Sequence, residues 1–328
     1  MIKVKLSFPY PEWDLIRQTP ESKGIWGKYQ FFINNETKEC DYWFVFDHLL
    51  EDTERTICAK GNTILITAEP SSVQTYDHKF ISQFGHLITC QEGIKHPSTF
   101  RFMQGHPWFV GAEYLGGKYQ HFSKSYDELT SNTFVKKIKQ ISLITSDKLI
   151  TDGHKKRYEF ALALKEYFGS EIDLFGRGIN DFADKWDVLA NYKYSIAIEN
   201  SCYRDYVSEK IMDCFLAHTF PIYHGSPNID DYFSKKAFQA IDILKIDESK
   251  KSIEGLLNAP NHYNDSLPEI LNAKSRCLNE YNLFPLIADF IDTKLPPNNR
   301  FKTNITLKNT FSPTIKDRII NKIKSFKF

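Results

Sequence analysis

The chain has 328 residues, more than a single core usually supports, so the first expectation is two domains. Forty-two Lys and Arg residues stand against 41 Asp and Glu residues, and this near-neutral balance excludes a global electrostatic footprint for nucleic acid. The six cysteines form no C-x-x-C pair, so the sequence indicates neither a zinc site nor a disulfide framework and fits a reducing cytosol.

The N-terminal part of the chain has the pattern of an α/β unit. The first residues alternate apolar Ile2, Val4 and Leu6 with lysines, which predicts a strand and differs from the apolar run of a signal peptide. No stretch reaches the ~20 apolar residues that span a bilayer. Further strands are predicted at Tyr42–Phe46, Thr63–Thr67 and His86–Thr89, with helical or loop material at Asp77–Phe84 and a glycine-rich loop at Gln104–Lys124.

A second α/β unit begins at Lys139. Strand and helix alternate there at a spacing typical of parallel βαβ units. Strands are predicted at Ile141–Thr145, Ile172–Phe175, Tyr194–Ile198 and Phe220–Tyr223, and helices at Gly153–Phe168, 181–191 and Ser208–His218.

The C-terminal segment, residues 313–328, has the pattern of a basic amphipathic helix. Ile315, Ile319, Ile320, Ile323 and Phe326 fall on one helical face, and lysines and an arginine occupy the other. Such a helix is expected at an anionic membrane surface. A terminal helix docked on its own domain explains the pattern equally well.

Residues between Tyr194 and Pro227 have the features of an anion site. A buried strand ends at Glu199-Asn200, and Ser208 occupies the N-cap position of the next helix. Ligands of open α/β sheets bind at such strand ends, where free backbone N–H groups attract phosphate. Lys210 in the first turn opposes the helix macrodipole, which indicates an anionic partner, and Glu209 is placed to accept ribose hydroxyls. Spacing alone also allows both to be ordinary exposed helix residues.

The run "YKYSIAIENSCYRDYVSEKIMDCFLAHTFPIYHGSPNIDDYF" resembles the donor-binding signature of the α1,3/α1,4-fucosyltransferases, glycosyltransferase family 10. Weaker likeness extends through "KKRYEFALAL" and "DLFGRG". The resemblance implies that Asn200, Tyr206, Glu209 and Lys210 hold the GDP of GDP-fucose, with Arg157 facing the diphosphate. For Arg157, a solvated charge in a basic run is the alternative.

The resemblance also implies a catalytic base, because the family carries a glutamate after a strand of its first domain. Glu69, in the run Ile64 to Pro70, has this setting, whereas His86 and Asp77 are weaker candidates and a strand-end acid bonded to a turn is the structural alternative. No convincing paired-carboxylate metal site stands out. Lys210 and Arg157 are therefore expected to stabilise the departing diphosphate, with no strict metal requirement and no cofactor.

These observations predict an α/β protein of the GT-B type, with two Rossmann-like domains facing across a cleft and a C-terminal amphipathic helix. The predicted limits are residues 1–135 for the acceptor domain, 136–300 for the GDP-sugar domain and 301–328 for the basic tail. The predicted function is inverting transfer of fucose from GDP-β-L-fucose to an acceptor glycan, with an α1,3-type linkage onto a GlcNAc-containing surface polysaccharide as the example.

Three alternatives stay open at this stage. The same fold is compatible with another GDP-sugar, with a non-catalytic nucleotide- or glycan-binding protein, and with a membrane-surface scaffold that acts through the tail. Bacterial relatives work on lipid-linked or lipopolysaccharide glycans, so the predicted location is the cytoplasm, with peripheral contact to the inner face of the cytoplasmic membrane through residues 313–328 as the further hypothesis.

Overall fold

The computed structural model describes residues 1–35, 37–131, 133–145, 152–295 and 301–309, and for residues 152–154 the backbone alone. The predicted amphipathic helix at 313–328 lies outside the described residues. None of the described helices is long and apolar enough to cross a bilayer.

The N-terminal part is built around a mainly parallel sheet. Its elements in chain order are β1 (Ile2–Ser7), β2 (Ile25–Trp26), β3 (Tyr29–Ile33), β4 (Tyr42–Phe46), β5 (Thr53–Cys58), β6 (Thr63–Ile66), α1 (His78–Ile81), β7 (His86–Thr89), β8 (Thr99–Arg101), β9 (Ala112–Leu115), β10 (Lys118–Phe122) and α2 (Tyr126–Thr130). The strand order of the sheet is β2-β3-β1-β4-β6-β7-β8, and β2 alone of these strands runs antiparallel to its neighbour. Every residue of β4 is buried, as expected for a strand with both faces covered.

The C-terminal part is built around a second, fully parallel sheet. Its elements are β11 (Lys139–Ile144), α3 (Asp152–Phe168), β12 (Ile172–Phe175), β13 (Tyr192–Ile198), α4 (Glu209–Leu216), β14 (Phe220–His224), β15 (Gln239–Ala240), α5 (Ile246–Asn258), α6 (His262–Asn279), α7 (Leu283–Lys294) and β16 (Thr303–Lys308). The order of the sheet is β12-β11-β13-β14-β15. The prediction of two Rossmann-like α/β units is confirmed.

Two segments from the end of the chain return to the N-terminal part. Helix α7 buries Phe284 and Phe290 in the N-terminal core, where Phe284 meets Phe31 edge to face with ring centroids 4.8 Å apart. Strand β16 pairs antiparallel with β5 and buries Leu307. The limits 1–135, 136–300 and 301–328 stay a prediction. Residues from all three ranges nevertheless contribute to the N-terminal core, because α7 belongs to 136–300 and the buried Leu307 of β16 belongs to 301–328.

Two local predictions were wrong. The predicted helix at 181–191 is a series of turns, because the carboxylate of Asp184 binds the backbone N–H groups of Trp186 and Gly111, both at 2.8 Å, and competes with helical bonding. The predicted loop at Gln104–Lys124 contains the β9–β10 hairpin. Its turn is Gly116-Gly117, both at positive φ, which is the preferred chemistry of a two-residue hairpin turn.

Candidate functional site

A cavity with a volume of about 840 Å³ opens at the carboxyl ends of the C-terminal strands. Its floor comes from β11, β13 and the start of α4, and the β9–β10 hairpin of the N-terminal part covers it. The strand order of the C-terminal sheet reverses between β11 and β13. Ligands of open α/β sheets bind at this kind of switch point. The cavity therefore has the position of a ligand site between the two α/β units.

Glu199 anchors the loop that leads into α4. Its side chain is fully buried, and its two oxygens accept hydrogen bonds from the backbone N–H of Ser208 at 2.9 Å and from the Ser208 hydroxyl at 2.6 Å. The hydroxyl of Tyr223 also donates to Glu199, at 3.4 Å. Ser208 in turn caps α4 by accepting from the N–H of Lys210. Glu199 thus fixes the helix N-terminus beside the cavity.

A chain of buried and partly buried charges surrounds that N-terminus. Lys210 lies 3.3 Å from Glu209 and 3.4 Å from Glu199, and Lys185 lies 3.9 Å from Glu209 and 2.7 Å from Asp213. Burial raises the pKa of Glu209, but the charges of Lys210 and Lys185 outweigh burial and lower it to about 2. Burial lowers the pKa of Lys210, yet Glu209 and Glu199 hold it above its ordinary value. Both groups are therefore ionised at neutral pH.

Arg157 reaches the same cavity from α3. Its guanidinium donates to the Oδ1 atom of Asn200 at 2.8 Å, which joins α3 to the loop after β13. Burial lowers the pKa of Arg157, and the charge of Glu199 opposes that shift. With Arg177, Lys185 and Lys210, this residue gives the cavity wall four cationic side chains, against the two acids Asp181 and Glu209. The described wall is therefore suited to an anionic ligand.

Glu69 and Tyr206 meet between the two α/β units. Glu69 follows β6, and its Oε2 atom accepts a hydrogen bond from the hydroxyl of Tyr206 at 2.9 Å. Burial, followed by the charges of Glu199 and Glu69, raises the pKa of Tyr206, so the hydroxyl stays a donor. The backbone on either side of this glutamate is fixed as well, because the carbonyl of Ala68 contacts His106 Nε2 at 2.9 Å and that of Glu69 accepts from Gln91.

The loop around Tyr206 is held in a defined shape. Asp205 has a left-handed backbone with φ of 63°, and its carboxylate accepts from the hydroxyl of Tyr232 at 2.6 Å and the amide of Asn228 at 2.8 Å. Its carbonyl accepts from Gln104 of the N-terminal part at 3.2 Å. The pair Asp205-Tyr206 therefore contacts both halves of the molecule.

Gly176 is required by close packing at the end of β12. Its φ is 134°, and an added Cβ would lie 1.5 Å from the carbonyl oxygen of Thr145. This close approach places Arg177 at the cavity mouth, where its guanidinium donates to the hydroxyl of Tyr114 at 3.1 Å. The hairpin thus closes on the loop after β12.

The predicted site residues fall into two connected groups. Arg157, Glu209 and Lys210 line the cavity, and Asn200 joins them through Arg157. Tyr206 and Glu69 form the second group, outside the cavity lining, and Glu199 connects the groups electrostatically. The sequence-based prediction missed Glu199, Lys185 and the hairpin. The role of Glu199 could have been predicted from the sequence. It directly follows a buried strand and lies nine residues before the N-cap Ser208, so its carboxylate can reach the start of that helix.

Comparison with known proteins supports the family resemblance. Residues 135–265 match the C-terminal part of glycosyltransferase family 10 (fucosyltransferase). The α-(1,3)-fucosyltransferase FucT of Helicobacter pylori is 38% identical over 87 residues, which is 26% of this chain and 18% of that protein. The chain thus matches about a fifth of the length of this relative. The predicted resemblance to the bacterial α1,3/α1,4-fucosyltransferases is confirmed.

Two solved structures are similar over most of the chain. A crystal structure of an α1,3-fucosyltransferase with GDP-fucose is 18% identical, covers 86% of this chain and 92% of its own, and has a TM-score of 0.49. An α-glucosyltransferase in complex with UDP and DNA is 8% identical, covers 89% of this chain and 99% of its own, and has a TM-score of 0.51. The second likeness shows a shared fold, and the predicted GT-B arrangement is confirmed.

Proposed function

We propose that this protein is an inverting fucosyltransferase that moves fucose from GDP-β-L-fucose to a hydroxyl group of an acceptor glycan. The observation that carries the proposal is the hydrogen bond between Glu69 and Tyr206, which joins a carboxylate of the N-terminal part to the loop that leads into α4 and the cationic cavity. The matched family and the relatives named fucosyltransferases support the same chemistry.

In the proposed complex the GDP occupies the cavity. Glu209 accepts the ribose hydroxyls, and Lys210, Arg157 and the N–H groups at the start of α4 bind the diphosphate. Asn200 orients Arg157 through the 2.8 Å bond already present. Glu199 and Lys185 balance the charges of this set, so that the ionised side chains are fixed before the donor arrives.

The chemical step is a displacement at the anomeric carbon. The acceptor oxygen forms a bond to C1 of fucose as its proton passes to the Glu69 carboxylate, and the bond from C1 to the phosphate oxygen breaks. GDP leaves with that electron pair, and Lys210 and Arg157 stabilise the charge that develops on it. Attack on the face opposite the β-linked diphosphate gives an α-linked product, and an α1,3 linkage is the proposal by similarity to the relatives.

The acceptor and location follow by the same resemblance. We propose a GlcNAc-containing, lipid-linked or lipopolysaccharide glycan, reached in the cytoplasm at the inner face of the membrane, with the basic segment 313–328 as the contact. Deleting 313–328 is expected to leave turnover of soluble acceptors intact. The membrane-surface scaffold instead predicts that the deletion abolishes function.

The test is incubation with GDP-fucose, GDP-mannose and other GDP-sugars, with GDP release and sugar transfer as readouts. GDP-fucose is expected to be consumed, and Glu69→Ala to abolish transfer. Consumption of GDP-mannose alone would support the same fold with another donor. Equal activity of wild type and Glu69→Ala would support a non-catalytic nucleotide- or glycan-binding protein.

A further inference from the structure

The N-terminal sheet has a switch point of its own. Its order runs β3-β1-β4-β6, so the chain passes from β1 to β3 on one side and later continues from β4 to β6 on the other side. The strand order therefore reverses between β1 and β4. The crevice outside the carboxyl ends of these two strands is where open α/β sheets bind ligands. Tyr10 lies three residues beyond the end of β1, Asp47 directly follows β4, and Glu69 lies three residues beyond β6. Because β1, β4 and β6 are parallel neighbours, the three residues emerge at one edge of the sheet.

Tyr10 is an exposed aromatic ring on a restrained backbone. It stands between Pro9 and Pro11, whose rings limit the backbone angles on both sides of it. The ring contacts Phe8 edge to face at 5.3 Å between centroids, and 46% of the residue is exposed. An exposed ring that is fixed in advance loses little conformational freedom when it binds a partner.

Asp47 is tied to the segment that carries Glu69. The hydroxyl of Tyr76 donates to the Oδ1 atom of Asp47 at 2.5 Å and accepts from the backbone N–H of Ala68, the residue before Glu69, at 3.1 Å. Asp47 has a left-handed backbone with φ of 63°, so its position depends on this hydrogen-bonded support. Burial, followed by the charges of Asp47 and Glu69, raises the pKa of Tyr10 to about 12.

We propose that Tyr10 and Asp47 form the acceptor subsite, in which one pyranose ring of the acceptor glycan stacks its C–H face on Tyr10 and donates a hydroxyl to Asp47. The inference rests on the proposed function, because the neighbouring hydroxyl of that ring is the nucleophile that meets Glu69. An amphipathic ring beside acceptor-only carboxylates matches a sugar, which has apolar C–H faces and a rim of hydroxyl donors.

The test compares Tyr10→Ala, Tyr10→Phe and wild type with GDP-fucose and a panel of β-linked GlcNAc- and galactose-containing disaccharides, N-acetyllactosamine among them. Tyr10→Ala is expected to raise the acceptor KM at least tenfold. The GDP-fucose KM and the slow hydrolysis of GDP-fucose without acceptor are expected to stay within twofold of wild type. Tyr10→Phe keeps the ring and is expected to restore most of the acceptor affinity.

Tyr167→Ala is the matched control, because Tyr167 is similarly exposed but lies on α3 of the C-terminal part. It is expected to leave every constant unchanged. An unchanged acceptor KM in Tyr10→Ala, or a parallel rise in the GDP-fucose KM, overturns the subsite. The wild type could also hydrolyse GDP-fucose at a rate that no disaccharide increases. That result would contradict the acceptor subsite but would remain compatible with binding and cleavage of GDP-fucose. Absence of all GDP release from GDP-fucose contradicts the proposed function itself.

Discussion

The hydroxyl of Tyr206 donates a 2.9 Å hydrogen bond to the carboxylate of Glu69, and this contact joins the loop before α4 of the C-terminal part to a strand end of the N-terminal sheet. Tyr206 is buried, and its loop is held by Asp205 through Asn228 and Tyr232. The contact therefore fixes where the proposed base lies relative to the cationic cavity. The contribution of this hydrogen bond to catalysis can be tested by replacing Glu69 or Tyr206.

Glu69→Gln removes the proposed base and keeps the size and polarity of the side chain. We expect kcat to fall roughly 10²–10⁴-fold, while GDP affinity measured by calorimetry changes little, because Glu69 lies outside the cavity lining. Glu92→Gln, at an exposed position of the same sheet edge, is the control and is expected to match wild type. If Glu69→Gln retains the wild-type kcat, Glu69 is not the catalytic base.

Tyr206→Phe removes the donor to Glu69 and keeps the ring. A hydrogen bond to a charged group contributes roughly 1.5–3 kcal/mol, so we expect kcat/KM to fall about 10–100-fold. The double variant with Glu69→Gln should lose little more than Glu69→Gln alone, since Tyr206 is expected to act through the carboxylate that Glu69→Gln already removes. Additive losses in this cycle would show that Tyr206 acts independently of Glu69.

Lys210→Met removes the cation at the start of α4. Since Lys210 is expected to bind the diphosphate, GDP affinity and kcat should both fall, kcat by roughly 10²–10³-fold, and Lys210→Arg should recover part of the loss. The variant also removes the cation that lies 3.4 Å from the buried carboxylate of Glu199 and 3.3 Å from that of Glu209, so the melting temperature should drop. Lys251→Met, exposed on α5, is the control. Unchanged GDP affinity in Lys210→Met would contradict the donor assignment.

Gly176→Ala should disrupt the end of β12. The added Cβ would overlap the carbonyl oxygen of Thr145 at 1.5 Å, and the backbone φ of 134° is strained for any other residue. We expect loss of soluble protein or a fall of several kcal/mol in the free energy of unfolding, measured by urea titration. Gly255→Ala, inside α5 with no atom near the added Cβ, should instead be neutral or stabilising by up to about 1 kcal/mol.

Lys137 gives the stability a defined pH dependence. Its ammonium donates to the carbonyls of Ala190 and Ala217 and to Thr219, and burial lowers its pKa to about 7. The unfolded chain keeps an ordinary lysine pKa near 10.4, so between pH 7 and about 10 the unfolded state binds more protons. Stability carried by this group therefore rises with pH, by at most about 1.4 kcal/mol per unit.

The measurement is the free energy of unfolding of wild type and Lys137→Met at several pH values from 7 to 10. The difference between the two should change with pH in that direction, because the variant has no titrating group at this position. Lys136→Met is the matched control, since Lys136 precedes Lys137 directly in the sequence and its side chain is exposed. A pH-independent difference would show that Lys137 keeps its proton throughout the range.

The sequence predicted the parts of the fold whose signal is local. The strands Tyr42–Phe46, His86–Thr89 and Ile172–Phe175 were predicted to the residue, because each is a short apolar run between clear breaks. The return of α7 to the N-terminal core was not predictable, since its pattern shows an apolar helix but not which sheet that helix covers. The pair Gly116-Gly117 indicates a hairpin turn, but the segment that contains β9 and β10 was predicted as a loop.

The candidate site divides in the same way. Ser208 as N-cap and Lys210 in the first turn were readable from spacing, and the structure confirms the cap. The contact between Glu69 and Tyr206 links positions 137 residues apart and depends on how the two sheets face each other. Lys185 is likewise invisible in the sequence, because it lies in the turn region that was predicted as a helix.

The most direct test of the account is the anomeric configuration of the product formed from GDP-β-L-fucose and a GlcNAc-containing disaccharide, read by proton NMR. The account predicts an α-linked fucose, formed by wild type and lost in Glu69→Gln. A β-linked product, or an α-linked product formed at the same rate by Glu69→Gln, would contradict it.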